Sequence, residues 1–572
     1  MAHFITHLGM QESAIDKAPQ WNTNIVLFCE GALVTIALAV LTLLWWRSAE
    51  AARVRKTKTS RDGSQILPSP IPVLPRWLGF LGGHTLLLIN ISKFTAQVES
   101  WAEEFKGDYE LQIFGERVIV LTSVEDIRRV LALRPSKFVR GLTPKATLWA
   151  AREAGFAPAM TFDEGKQWGR SRRLISPHLV GHNLTAMIPC IVKIAERFCA
   201  KLGGHADSDE VVDAKKYFAY FTHDIIAFMV CDIEVDSTGS TDDHPSPSFR
   251  AVQSAFYALD VLQFNAMKIM QWKYLPSLTP WVQRAKKHSR QLGAIVQDSI
   301  DATRCSKGEN TPASGRDGLI ASTLLRNITT KSSDSAGSER MKFSDDEVLH
   351  EVKSLFLAGT DTTALNLCWA MYYLAKNPAT FARCRNEGLK AAPMSRGMAS
   401  TPEQLNQLVF CAAVFREVVR LRTSGPTLFH TCMEDHTTNK GFKIKKGLGV
   451  MLLTRIASIS DENFTRGAEF IPERWIESKR DKALLGEGVE GNKTSDVRHM
   501  QDAFLGFGSG PRVCPGKDLA RVEATIMIAV ICSRFEVTLA PGQNDPPEEV
   551  VEFATGTETM KLKFKRNEDT SI

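Results

Sequence analysis

None of the 11 cysteines forms a C-x-x-C pair with another. That absence argues against a zinc ribbon, and the odd, scattered set argues against a disulfide framework and for a reducing compartment. Charge of one sign is also scarce. A formal net charge of +6 over 572 residues lacks the concentrated basic stripe of a nucleic-acid binder, and fits at most an acidic partner or a membrane surface. No G-x-G-x-x-G opens a strand–helix unit, so no dinucleotide-binding fold is expected. No repeat appears, and no linker after Gly83 divides two cores. What is present is an apolar fraction of 44% and a charged fraction of 23%. Those are the proportions of one large globular domain with appendages.

The longest apolar run is Ile25 to Trp46, with Glu30 its only charge. As a helix it spans roughly 33 Å, enough for a bilayer core. Trp45 and Trp46 suit an interface, and Arg47, Arg53, Arg55, Lys56, Lys58 and Arg61 follow. The positive-inside tendency then makes residues 1–24 lumenal, 25–46 a single-pass transmembrane anchor, and the rest cytoplasmic. A cleaved signal peptide ending near Ala49–Ala51 is the rival, but the leading segment is not basic and the run is long for that purpose. Residues 47–83 form a basic stretch and a hinge with prolines at 68, 70, 72 and 75, which favour stiff, extended backbone. Residues 84–572 form the main domain.

That domain reads as mainly α with minor β sheets. Asp108–Ser123 alternates around Gly115 as a hairpin, and Gly441–Leu453 reads as another. The tracts Cys305–Arg316 and Lys331–Arg340 read as exposed loops. A long helix opens at Ser344 with Glu347 three residues on, a capping box, and closes before Pro378. Its centre, Ala358-Gly359-Thr360-Asp361-Thr362-Thr363, is weak, since glycine and threonine together cost roughly 2 kcal/mol against alanine. Close helix packing at Gly359 with self-satisfied threonines explains it equally well as a groove holding an acid and an alcohol for proton handling.

Phe507 to Gly516 reads FGSGPRVCPG. Pro515 suits a first helical position, placing Cys514 beside an N-cap where the dipole, free N–H groups and Arg512 favour a thiolate. A nucleophile needs a base that local spacing does not show. A metal cluster needs further cysteines, whereas haem needs one thiolate.

Phe507, Gly510, Arg512, Cys514 and Gly516 match F-x-x-G-x-R-x-C-x-G, and the decapeptide resembles the haem-binding loop of the cytochrome P450 family. Ala358–Thr363 resembles that family's oxygen-activation segment, Glu417-Val418-Val419-Arg420 its E-x-x-R, and Phe470–Trp475 its PERW segment. Trp168 and Arg172 resemble its W-x-x-x-R pair. The resemblance covers roughly Leu67 to Phe564. It implies haem b with Cys514 as axial ligand, and Phe507, Gly508 and Gly516 shaping the loop. Trp168, Arg172 and Arg512 would meet the propionates, and Glu417, Arg420 and Arg474 would form a buried triad. Asp361 and Thr362 are the implied catalytic pair. His430 stands where the family usually has a propionate-binding arginine, which would make that contact titratable. Lys445 replaces a usual proline, and Glu477–Gln501 reads as a charged surface insertion.

The implied reaction is mono-oxygenation of a hydrophobic small molecule such as a terpenoid, steroid, fatty acid or secondary metabolite. Residues 138–162, 256–274, Ala358, Thr362 and Ser424–Phe429 would line the pocket. Electrons would come from NADPH through a separate cytochrome P450 reductase, with cytochrome b5 a second candidate donor, at the endoplasmic reticulum membrane. A P450-like isomerase and a non-catalytic haem sensor are the alternatives, and Asp361-Thr362 argues against both.

Overall fold

The computed structural model describes residues 58–59, 65–69, 84, 93–113, 116–141, 151–152, 155–156, 159–239, 245–264, 280–305, 320–321, 324, 343–391, 401–476, 497–551 and 554–567. The expected anchor at 25–46, the lumenal segment, most of the hinge, the Gly115 turn, the polar tracts beyond Cys305 and the insertion up to residue 496 lie outside them. Among the described residues no helix is long and apolar enough to cross a membrane.

The longer helices are α1 (Phe94–Phe105), α2 (Val124–Ala132), α3 (Gly165–Ile175), α4 (Gly181–Asp207), α5 (Ala214–Cys231), α6 (Pro247–Phe264), α7 (Pro280–Cys305), α8 (Asp345–Lys376), α9 (Pro378–Ala391), α10 (Val409–Leu421) and α11 (Lys517–Arg534). Helix α8 begins as its sequence predicts. The Ser344 hydroxyl accepts from the Glu347 N–H at 3.2 Å, and the Glu347 carboxylate accepts from the Ser344 N–H at 2.8 Å. Asn377 caps its other end, before Pro378. Helix α5 lies so close against it that a Cβ on Gly359 would come within 2.9 Å of the Ile226 side chain. The glycine is what permits this approach. Helices α10 and α11 pack beyond, with Val414, Val418, Met527 and Ile531 fully buried.

A five-stranded sheet stands beside the helices. Its strands are β1 (Tyr109–Ile113), β2 (Glu116–Leu121), β3 (Phe138–Arg140), β4 (Thr427–Cys432) and a last strand at Gly449–Leu453, with β5 (His436–Thr437) and β6 (Lys443–Ile444) outside it and the last strand therefore β7. The order is β1-β2-β7-β4-β3, with β7 parallel to β2 and antiparallel to β4. Strands β1 and β2 pair as the expected hairpin. Residues 441–453 do not. β6 pairs with β5, while β7 is an inner strand buried at all five positions. The Lys445–Gly447 turn joins two sheets, because a strand buried on both faces takes its partners from elsewhere in the chain.

Candidate functional site

Two glycines shape the loop before Cys514. Gly508 and Gly510 take φ of +72° and +68°, a region that disfavours side chains. A Cβ on Gly510 would also stand 2.5 Å from the Leu131 carbonyl oxygen. The loop closes where the Cys514 N–H donates to the Phe507 carbonyl at 2.9 Å. Pro515 is not the first helical residue. Gly516 is the N-cap of α11, and Cys514 stands two positions before it. The helix starts late because its first turn is closed by the Ala520 N–H on the Gly516 carbonyl, at 2.9 Å. Cys514 is half-buried there. Burial is the largest influence on it and pushes its pKa up, opposed by a bond from the Gly516 N–H and by the charges of Arg172 and Lys517.

Cations gather next to this loop. The Arg512 guanidinium lies 4.2 Å over the Trp168 ring. It donates to the Glu164 carboxylate, the Asp163 carbonyl and, at 3.3 Å, the Met160 carbonyl. Glu164 also accepts from Arg134 at 3.0 Å and from the Arg140 N–H at 3.1 Å. Burial works against the ionised Glu164, but Arg512 and Arg134 outweigh it and hold the carboxyl below its ordinary pKa. Arg140 stands directly across from His430 in the β3–β4 register. Burial, then Arg134 and Arg140, push the His430 pKa well below its usual value. His430 is therefore a neutral group, not the titrating donor its position led us to expect.

Both buried His430 ring nitrogens lack a hydrogen bond. Among the described residues the Arg140 and Arg172 guanidinium groups and the Trp168 indole N–H also have no acceptor. Donors thus outnumber acceptors, with two carboxylates, Glu164 and Asp163, set among Arg134, Arg140 and Arg512. A group carrying two carboxylates, as haem does, fits this donor set. Arg134, Arg140 and Glu164 were not singled out in the sequence. Arg140 reaches the cluster through sheet register and Glu164 as the N-cap of α3, and no local spacing marks either.

Helix α8 passes unbroken through Ala358–Thr363. Within residues 351–372 only Ala358, Gly359, Asp361 and Thr362 are half-buried, so the helix is open on that stretch and closed elsewhere. The Thr362 hydroxyl donates to the Ala358 carbonyl at 3.0 Å, and Thr360 to the Phe356 carbonyl at 2.7 Å. Both packing at Gly359 and an opening beside the acid–alcohol pair are therefore present. Neighbours hold the backbone. Thr222 of α5 donates to the Thr360 carbonyl at 2.5 Å. Asn366 donates to the Thr362 carbonyl at 2.8 Å and to Ser424 at 2.7 Å, and Ser424 donates to that carbonyl at 3.1 Å. His223 lies 3.3 Å from the Thr360 hydroxyl and 2.9 Å from Ser248. Burial drives its pKa down to about 3, so it carries one ring proton. Because Thr360 spends its own proton on Phe356, Nδ1 is assigned as the donor and Nε2 as the acceptor.

Glu417, Arg420 and Arg474 come together in the core. Glu417 pairs with Arg420 at 2.8 Å and Arg474 at 3.0 Å, and neither Glu417 nor Arg420 is exposed at all. The Trp475 indole donates to Glu417 at 2.8 Å, a partner sequence reading did not assign. Arg420 reaches on to the carbonyls of Ser458 at 2.7 Å, Gly467 at 2.5 Å and Glu469 at 3.0 Å.

The family model described as Cytochrome P450 matches residues 72–564. Carotene epsilon-monooxygenase, chloroplastic, of Arabidopsis thaliana is 23% identical over 449 residues, 77% of this chain and 77% of that protein. Cytochrome P450 2K4 of Oncorhynchus mykiss is 24% identical over 485 residues, covering 82% and 86%. The 11-oxo-beta-amyrin 30-oxidase of Glycyrrhiza uralensis is 26% identical over 395 residues, covering 68% of each chain.

Proposed function

Because the chain belongs to the cytochrome P450 family and is a monooxygenase of that family, we propose that Cys514 is the thiolate ligand of haem b and that the substrate is a hydrophobic small molecule. Terpenoids, steroids, fatty acids and secondary metabolites are the candidate classes. When bound, the haem supplies O2 activation, with one oxygen atom going to the substrate and the other to water.

The protein's share is positioning and proton handling. Trp168, Arg172, His430 and Arg512, joined by Arg140, would hold the propionates. Phe507, Gly508 and Gly516 shape the loop, and the Gly516 N–H tempers the sulfur. Thr362 donates its proton to Ala358, which leaves its oxygen lone pairs able to accept a proton donor in the open stretch. Asp361 is the acid that passes protons inward. Glu417, Arg420 and Arg474 fix the segment 458–475 ahead of the cysteine loop.

Electrons would come from NADPH through a cytochrome P450 reductase, or through cytochrome b5. A hollow of about 440 Å³ borders the cysteine loop, with Arg416, Lys517 and Arg521 in its lining. Lys517 and Arg521 are exposed, which suits an acidic partner. Anchoring by residues 25–46 would place the domain on the cytoplasmic face of the endoplasmic reticulum.

The observation that carries this reading is the Cys514 cage beside donors that lack acceptors. The test is the reduced carbon-monoxide difference spectrum of Cys514→Ala, where the thiolate band should vanish. A variant that keeps both haem and that band would overturn the assignment.

A further inference from the structure

Glu351 of α8 is a buried acid that the reading above leaves unused. It is only 3% exposed and stands outside the open stretch at Ala358–Thr362. Its carboxylate accepts from two separate segments of chain. The Met160 N–H donates to Oε2 at 2.9 Å and to Oε1 at 3.1 Å, and the Ser171 hydroxyl donates to Oε1 at 2.5 Å. Burial raises the Glu351 pKa to about 7 against the pull of these bonds. A carboxyl is costly to bury, and this one gains a grip on two segments at once.

Both segments lead to the propionate donors. Met160 belongs to a turn over residues 159–163, closed by the N–H groups of Phe162 and Asp163 on the Ala159 carbonyl, both at 2.8 Å. Arg512 rests on that turn, donating to the Met160 carbonyl at 3.3 Å, to the Asp163 carbonyl and to the Glu164 carboxylate just beyond. Met160 is therefore held from two sides, its N–H by α8 and its carbonyl by the cysteine loop. Ser171 belongs to α3, three residues after Trp168 and next to Arg172. Trp168 is the ring over which the Arg512 guanidinium lies, at 4.2 Å.

The neighbours of Glu351 on α8 reach one segment each. Glu347 accepts from Gln167 at 3.1 Å and Arg170 at 2.5 Å, both on α3. Ser354 donates to Thr161 of the turn at 2.5 Å. Glu351 bonds both, and so ties the support of Arg512 to the helix that bears Trp168 and Arg172. It bonds none of those three residues itself.

We propose that Glu351 is a positioning residue for the haem propionates: by tying the 159–163 turn and α3 to α8, it fixes Arg512, Trp168 and Arg172 where they hold the group. This rests on the haem–thiolate reading above. The test is haem transfer from full-length ferric holoprotein to excess apomyoglobin, with the midpoint potential measured on the same samples. Glu351→Ala removes charge-assisted bonds to two segments and should lose haem about tenfold or more faster. Arginines held less firmly compensate the propionate charge less well. The ferric form should then gain about threefold over the ferrous, roughly 30 mV for one electron. Glu351→Gln should restore both values, because an amide oxygen at Oε1 still reaches Met160 and Ser171. Leu562→Ala, at a fully buried position in the strand Lys561–Arg566, is the control for stability alone. It should lower the urea midpoint and leave haem transfer and potential as in wild type. Wild-type haem transfer or an unmoved potential in Glu351→Ala overturns the proposal. So does haem loss from Glu351→Gln or Leu562→Ala as fast as from Glu351→Ala. If Glu351→Ala fails to fold, Ser171→Ala, which frees α3 alone, decides by the same two readouts. The reduced carbon-monoxide band of wild-type protein, recorded in parallel, separates the two readings. Its absence would overturn haem–thiolate ligation and this proposal with it, whereas its presence without dependence on Glu351 overturns this proposal alone.

Discussion

Replacing Glu417 by glutamine changes one atom in the most heavily bonded carboxylate of the core, and the geometry fixes what should be lost. Oε1 accepts from Arg420 Nη2 at 2.8 Å, Arg474 Nε at 3.0 Å and the Ile471 N–H at 2.9 Å. Oε2 accepts from Arg420 Nε at 2.9 Å and Trp475 Nε1 at 2.8 Å. A glutamine has one oxygen to offer. Placed at Oε1 it keeps three donors, but its NH2 then points at two others. One charge-assisted bond is lost, about 1.5–3 kcal/mol, and a buried indole N–H is stranded, about 1–3 kcal/mol. Two guanidinium groups also lose their anion, and breaking a buried pair in this way costs about 3–5 kcal/mol. These estimates describe the same loss and are not added. Glu417→Gln should therefore be destabilised by about 3–5 kcal/mol. Trp475→Phe, which removes only the indole donor, should lose about 1 kcal/mol. The measurement is a urea titration followed by far-ultraviolet circular dichroism, read at the midpoint with the slope checked for constancy. A Glu417→Gln midpoint no lower than that of Trp475→Phe would refute the reasoning, because the charge would then contribute nothing beyond one neutral bond.

Thr362→Ala removes the hydroxyl that donates to the Ala358 carbonyl in the open stretch of α8. Product formed per NADPH oxidised should fall and hydrogen peroxide should rise, with the haem spectrum kept; full coupling would make this threonine a packing residue. Glu351→Gln addresses stability against pH, since burial raises the Glu351 pKa to about 7. The native state then holds more protons than the unfolded chain from about pH 4.5 to 7, so stability falls as pH rises there by up to about 1.4 kcal/mol per pH unit. A glutamine oxygen at the Oε1 position still accepts from Met160 at 3.1 Å and Ser171 at 2.5 Å. The variant should match wild type in acid and be the more stable above about pH 7, and parallel curves across the range would count against a raised pKa.

What could be read from the sequence depended on how far away each residue's partner lay. The Ser344–Glu347 box was legible because both partners belong to one turn of helix. Gly508 and Gly510 were legible because their φ values alone demand glycine. The cysteine loop and the pair Asp361-Thr362 could be recognised because their motifs are contiguous. Glu417, Arg420 and Arg474 were all assigned through the motif resemblance, since Glu417 and Arg420 are three residues apart but nothing local ties Arg474 to them. The failures have the opposite character. The alternation around Lys445–Gly447 is a local property, but the choice of strand partner is not. Residues 443–444 and 449–453 therefore went to different sheets. The placing of Pro515 failed for the same reason, since the helix start depends on which carbonyl Ala520 reaches and not on proline's φ preference. Arg140 could not be connected to His430 without the β3–β4 register, nor the lowered His430 pKa be foreseen without its burial and then the charges of Arg134 and Arg140. Lys353 is the extreme case. On a sequence a lysine among aliphatic residues reads as the wet side of an amphipathic helix, and only the packing of α8 against its neighbours leaves this one 5% exposed.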